Sequence, residues 1–262
     1  MKYRISVLMG IYNCEKTLQE ALDSLYSQTY PFFKIILCDD GSSDSTLQIA
    51  EENAQSHENV IVIRNPQNMG LNFTLNHCLE FADTEYVARM DGDDISLPTR
   101  FEKEIDFLDN HQEYAIVSTP MYYFDEKGIF RVGKTCGEPT KAEFMKGTPF
   151  CHAPSMVRKE AYDAVRGYSI SDYLLRVEDY HLWMKMYLKG YRGFRMKEPL
   201  YSMRDDRNAV YRRNWKSRRN ETYIKFLVWK NFNLPIYYLP YCFRPIVIAL
   251  MPSCIYSYFH RN

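Results

Sequence analysis

No stretch of this chain is both long and apolar enough to cross a bilayer as one helix. The longest apolar run, Pro245 to Phe259, is interrupted by Pro252. The chain has no Cys-x-x-Cys pair. Its seven cysteines, Cys14, Cys38, Cys78, Cys136, Cys151, Cys242 and Cys254, are odd in number and scattered. That argues against a disulfide framework or a zinc site and for free thiols in a reducing compartment. The start, Met1 to Met9, reads as a short strand and is too short for a signal peptide. The expected location is the cytoplasm. There is no internal repeat and no low-complexity linker. Net charge is absent too: 33 Lys and Arg balance 33 Asp and Glu. The balance is uneven along the chain, because no acidic residue follows Glu221.

What is present is a chain able to bury a core. It has 262 residues, 46% hydrophobic and 25% charged, which suits one large domain or one domain with an appendage. Apolar runs at Ile5–Met9, Lys34–Cys38, Val60–Arg64 and Glu85–Arg89 read as strands. Segments with helical periodicity lie between them, at Cys14–Gln28, Ser45–Gln55 and Leu71–Phe81. Such alternation predicts an α/β fold with a mostly parallel sheet flanked by helices. The second half is less regular. It is expected to hold a helix over Pro98–Asp109, a strand over Tyr114–Thr119 and a hairpin over Met121–Val132. A short helix over Thr140–Lys146, a strand over Ala153–Val157 and a helix over Val177–Leu188 follow. In such sheets ligands bind at the carboxyl ends of the strands.

Three carboxylates fall within four residues at one such end, in Met90-Asp91-Gly92-Asp93-Asp94. Left alone, those charges repel. A hard divalent cation removes that cost and keeps positions for water and substrate phosphates. The pattern points to a metal that carries a phosphorylated ligand. The plainer alternative is an acidic turn capping the helix that begins near Pro98.

Several ordered motifs extend this reading: Tyr12-Asn13 after Ser6-Val7-Leu8-Met9, Ser27-Gln28-Thr29-Tyr30, and Asp39-Asp40-Gly41-Ser42-Ser43-Asp44. Then come Asn68-Met69-Gly70 with Asn76, Ala88 to Ser96 with Pro98 and Arg100, and Glu178-Asp179-Tyr180 with Leu182-Trp183. In this order they resemble family 2 glycosyltransferases of the GT-A fold over about residues 4 to 205. The wording around Arg89 to Arg100 is most similar to transferases of bacterial exopolysaccharide, capsule or O-antigen assembly. The resemblance implies an inverting, metal-dependent enzyme that moves one sugar from a nucleotide-sugar, with UDP favoured, to a glycan hydroxyl.

It also implies roles. Tyr12 would stack on the base, with a core tyrosine as the alternative. Asp40 would accept the uracil N3–H, and Asp39 would steady the loop or ribose, although the same run also reads as a helix-capping turn. Asn68 would belong to the nucleotide site. Asp91 and Asp93 would hold Mn²⁺ or Mg²⁺, with Asp93 the direct ligand. Asp94 would touch the sugar or cap the next helix. Arg100 would brace the acidic loop by pairing with an aspartate. His152 would line the acceptor pocket or contact phosphate, or serve as a structural histidine. Asp179 would be the general base, with Glu178 beside it. At Gly10, where many relatives carry Thr, Ser or Pro, the backbone must serve the base.

The expected organisation is a glycosyltransferase domain over residues 1–211, with a nucleotide-sugar half (1–95) and an acceptor half (96–211). A basic and aromatic helical extension over 212–262 follows. Arg212, Arg213, Lys216, Arg218 and Arg219 precede aromatics from Trp229 to Phe259. Such a mixture suits a membrane interface and, with it, a lipid-linked acceptor on the inner face of the plasma membrane. Packing on the protein itself is the alternative. Nucleic acid is not an expected partner, since the basic residues lie beside greasy aromatics. A sugar-nucleotide pyrophosphorylase would want a glycine-rich basic loop after the first strand, which Gly10 to Glu15 does not provide. A non-catalytic scaffold is the remaining rival.

Overall fold

The computed structural model describes residues 2–205 and 215–250. In the first half, β1 (Ile5–Ile11), α1 (Leu18–Tyr26), β2 (Phe33–Asp39), α2 (Thr46–Ser56), β3 (Val60–Arg64), α3 (Leu71–Glu80) and β4 (Tyr86–Arg89) alternate as the hydrophobic pattern predicts. Then follow β5 (Ile95–Ser96), α4 (Arg100–Asn110), β6 (Ile116–Ser118), β7 (Met121–Asp125), β8 (Gly128–Val132), β9 (Ser155–Arg158), α5 (Lys159–Val165), α6 (Glu178–Leu188), β10 (Gly193–Arg195) and β11 (Tyr201–Arg204). Two helices, α7 (Trp215–Asn231) and α8 (Pro240–Leu250), complete the described chain.

The main sheet has seven strands in the order β10-β6-β9-β4-β1-β2-β3. All neighbours are parallel except β9, which runs antiparallel to both β4 and β6. A second sheet, β5-β11-β7-β8, stands beside it. Successive side chains of a strand face opposite ways, so the main sheet carries a core on each side. Val7, Ile35 and Ala88 pack with α1 and α4, whereas Leu8, Ile36 and Val87 pack with α3, α5 and α6.

Ile224 and Val228 of α7 are fully buried in that second core, with Trp183 of α6. Lys225 is buried as well, and its ammonium donates to the Met145 carbonyl at 2.9 Å. Thus the first turns of the basic and aromatic extension pack on the protein. Arg212, Arg213, Cys254 and the aromatics after Leu250 lie outside the described residues.

The short β5, α5 and β11 were not expected from the pattern, and three further local features differ from expectation. The helix expected over Thr140–Lys146 is one 3₁₀ turn, Glu143–Met145. The short β10 was not anticipated, and it depends on Gly193. A Cβ there would lie 2.4 Å from the Phe150 ring, so only glycine lets this edge strand close on the core. Finally, α4 starts at Arg100 rather than Pro98. Its first turn is served from a distance, because the Gln28 side chain accepts from the Phe101 N–H at 3.1 Å.

Candidate active site

The carboxyl ends of β1 and β4 open into a cavity of about 530 Å³, which Arg204 at the end of β11 also lines. Tyr12, Asn13, Asp91 and Asp93 line it, with Lys16, Thr17 and Asp44. Tyr12 is 49% exposed, so it is no core tyrosine and its ring is free to meet a flat ligand. The loop that carries it is clamped to the turn after β2: Asn13 accepts from the Ser43 N–H at 2.9 Å, and its own N–H donates to Ser42 Oγ at 3.1 Å.

Asp39 and Asp40 take different tasks. Asp39 is fully buried and accepts from the Ser42 N–H at 3.2 Å, with the Arg64 guanidinium at 3.4 Å. Asp40 accepts from the Asn65 amide at 2.8 Å and from the backbone N–H groups of Met69 and Gly70 at 2.8 and 2.9 Å. A carboxylate has about four acceptor positions. Three are filled by the protein, and Asp40 itself is buried behind the residues that line the cavity. The turn needs Gly41, whose φ is +75° and whose added Cβ would meet the Gln67 backbone at 2.8 Å. Helix capping falls to Asp44, which accepts from the Thr46 N–H at 3.0 Å. Asn68 is exposed on the same loop, and the loop meets Asp40 through its neighbours' backbone instead.

Arg89 is the feature that sequence reasoning missed. Its guanidinium, 4% exposed at the end of β4, forms a two-pronged pair with the Asp91 carboxylate, one prong at 2.9 Å. The expectation for Arg100 is therefore corrected. Arg100 is fully buried, pairs with Glu104 and donates to the carbonyls of Arg89, Ala153 and Ser155. It braces the backbone under the acidic loop and touches none of the aspartates. The signal was available: a charged residue inside an otherwise buried strand needs a partner.

Asp93 lines the cavity with part of its side chain open to solvent. The protein packed around its carboxyl and the charge of Asp91 both push it up. Asp94 is buried, and burial with its two acidic neighbours pushes it up to about 8. It accepts from the Arg204 N–H at 2.8 Å. Its alternative role as helix cap is not taken, since Thr99 precedes α4.

A second cavity, of about 320 Å³, is lined by Thr148, Arg176, Glu178, Asp179, Ser217 and Glu221 among others. Glu178 and Asp179 form the first turn of α6. Thr148 donates to Asp179 at 3.1 Å. Burial raises the Asp179 carboxyl, and burial with the Asp179 charge pushes Glu178 up to about 7. Arg89 opposes both rises, so one guanidinium lies within electrostatic reach of both acidic groups. His152 is held by the Tyr168 hydroxyl at 2.8 Å and kept neutral by burial and Arg89. That is the structural-histidine arrangement. Asn76 is likewise structural, bonded to the Tyr168 backbone at both ends of its amide.

Among the described residues no three His, Cys, Asp or Glu side chains gather as a metal cluster. Two carboxylates, Asp91 and Asp93, do meet at the cavity. These oxygen ligands fit Mg²⁺ or Mn²⁺, which binds through one or two carboxylates plus substrate phosphates. Asp93 is the more open of the two, because both Asp91 oxygens already accept from Arg89.

Replacing Arg89 by Met should cost about 3 kcal/mol, the lower end for breaking a buried pair, because Asp91 keeps some access to water. Denaturant unfolding measures it. A loss under about 1 kcal/mol would mean that Asp91 is adequately solvated without its partner.

A mostly parallel sheet with an acidic cavity at its strand ends, and a second acidic cavity at the start of α6, is the layout of the GT-A fold class. Comparison with known proteins agrees. The sequence model described as Glycosyl transferase family 2 matches residues 6–166. EpsE of Bacillus subtilis is 39% identical over 260 residues, 99% of this chain and 94% of its own. The UDP-Gal:alpha-D-GlcNAc-diphosphoundecaprenol beta-1,3-galactosyltransferase of Escherichia coli is 31% identical, over 80% of this chain and 77% of its own. The crystal structure of Staphylococcus aureus TarS in complex with UDP-GlcNAc superposes with a TM-score of 0.71 at 21% identity. It covers 94% of this chain and 71% of that one. The chain belongs to glycosyl transferase family 2.

Proposed function

We propose that this glycosyltransferase moves one sugar, with inversion, from a UDP-sugar to a hydroxyl of a lipid-linked saccharide in bacterial surface polysaccharide assembly. The observation that carries the reading is the placement of two acidic groups, Asp91–Asp93 and Glu178–Asp179, at separate cavities within the field of Arg89. The first cavity takes the donor and the second the acceptor. Tyr12 stacks on the base, and the remaining acceptor position of Asp40 meets the uracil N3–H. Asp91 and Asp93 would hold Mn²⁺ or Mg²⁺. Such a cation supplies charge neutralisation for the departing diphosphate.

Asp179 takes the proton of the acceptor hydroxyl. The oxygen bonds to the anomeric carbon from the face opposite the diphosphate. The bond to the diphosphate breaks, and nucleoside diphosphate leaves with its electron pair. One displacement inverts the centre. The relatives support the donor and acceptor classes: TarS is seen with UDP-GlcNAc, and the E. coli enzyme is named for UDP-Gal and a diphosphoundecaprenol-linked GlcNAc.

The test is calorimetric titration of UDP, GDP and dTDP into the protein with Mn²⁺, repeated with EDTA. UDP should bind more tightly than GDP, and EDTA should weaken it. GDP binding as tight as UDP would remove the argument from Asp40, and no binding would leave the scaffold reading ahead. The dTDP arm carries the same N3–H and reads the fit of the base's 5-methyl group.

The tail supports an acceptor at a lipid surface. No described helix is long and apolar enough to cross a membrane. Yet Phe226, Ile236, Tyr237, Phe243, Val247 and Leu250 stand exposed around α7 and α8, an expensive surface in water. With Lys230 and Arg244 exposed on the same two helices, it suits the interface of an anionic bilayer. Co-sedimentation with phosphatidylglycerol vesicles should fall at least tenfold in a Tyr237→Ser, Phe243→Ser double variant. Unchanged sedimentation would mean that this surface does not meet lipid.

A further inference from the structure

The family model ends at residue 166, yet α7 closes the cavity that holds Asp179. Ser217 and Glu221 are four residues apart on this helix, so they project from one face. Both line the cavity opposite Thr148, Glu178 and Asp179.

Buried polar groups fix the register of that face. The Asn220 amide, fully buried, donates to the carbonyls of Asp172 at 2.9 Å and Leu175 at 3.1 Å. Lys225 donates to the Met145 carbonyl. Sliding or turning the helix would strand these donors, at about 1–3 kcal/mol each. Glu221 is oriented by Arg218 at 3.5 Å and Lys225 at 3.9 Å. The same Lys225 contact secures the turn that leads to Thr148, the hydroxyl that holds Asp179.

The chemistry of the lining is that of a polyol site. A serine hydroxyl both donates and accepts, the glutamate accepts, and the Arg176 guanidinium donates. The volume, about 320 Å³, is at the lower end for small-ligand sites. Hydrogen-bonding walls discriminate hydroxyl patterns, because a wrong sugar leaves wall groups without their partners.

We propose that Ser217 and Glu221 are acceptor-specificity residues. They bind the terminal sugar of a monosaccharyl diphospho-lipid and turn one of its hydroxyls toward Asp179. This assignment rests on the reading of Asp179 as base.

The test uses the full chain with Ser217→Ala and, separately, Glu221→Gln. Transfer is measured from UDP-glucose, UDP-galactose and their N-acetylamino counterparts to synthetic GlcNAc-, Glc- and Gal-diphosphoundecaprenol. Each variant should raise the acceptor KM at least tenfold or redistribute the acceptors used. UDP affinity and donor KM should stay within twofold. Unchanged acceptor KM and preference in both variants would overturn the assignment. So would wild-type protein that binds UDP but uses none of these acceptors. Asp179→Asn separates the two claims. If that variant remains active, the base reading fails alone, and altered acceptor KM in the α7 variants still supports the specificity role.

Discussion

Asp179→Asn should lower kcat by about 10²–10⁴-fold, the usual contribution of a positioned general base. UDP affinity should be unchanged, because Asp179 lines the second cavity and not the one with Tyr12. The substitution is nearly isosteric and keeps the Thr148 partner. A folding defect is therefore not the expected cause of the loss. The pH profile gives a second readout. A base works only when unprotonated, so the wild-type rate should fall as pH falls through the pKa of the pair. Burial raises the Asp179 carboxyl, which lifts this acid limb above the usual aspartate range near about 3.9. Glu178, pushed up to about 7, shares the cavity, so the limb belongs to both carboxyls. Wild-type kcat/KM with no acid limb, or full activity in Asp179→Asn, would assign proton transfer to another group.

The second large effect is on nucleotide binding. Asp93→Ala should abolish the part of UDP affinity that depends on Mn²⁺. Asp93 lines the cavity with Tyr12 and is partly open to solvent, whereas both oxygens of Asp91 already face Arg89. The loss should exceed the roughly 10–100-fold that removing a supporting residue costs a metal site. Titration of UDP with and without EDTA measures it. An Asp93→Ala protein whose UDP affinity still responds to EDTA would move the metal elsewhere. A gain in thermal stability without nucleotide is also expected, because removing one carboxylate relieves repulsion on Asp91 and Asp94.

The first half of the fold was legible because each parallel strand is a continuous apolar run and each loop is short. Val60–Arg64 was placed to the residue for that reason. The carboxylates were legible because charge at a strand end has few uses. Lost to the sequence were features made by distant contacts. Gln28 serves a helix that begins 72 positions later in the chain. Arg89 was open to a local argument, since it stands two residues before Asp91 in a buried strand and a buried charge needs a partner. What only packing decides is that Arg100 turns to Glu104. Ser217 and Glu221 carry no local signal, since they gain meaning only when α7 docks by Asn220 and Lys225.

The position of β9 bears on how the chain reaches this state. Four parallel strands, β3-β2-β1-β4, are complete once residue 89 has been made. The outer edge of β4, however, has no partner until Ser155–Arg158 arrives and threads between β4 and β6. During synthesis that interval leaves a row of unpaired backbone groups beside an exposed apolar face, the situation that invites aggregation. An interior strand of the finished sheet thus arrives late, and its pairings span long sequence separations, which slows folding. The polypeptide between β6 and β9, including the β7–β8 hairpin, works as a tether whose length sets how long that edge stays open.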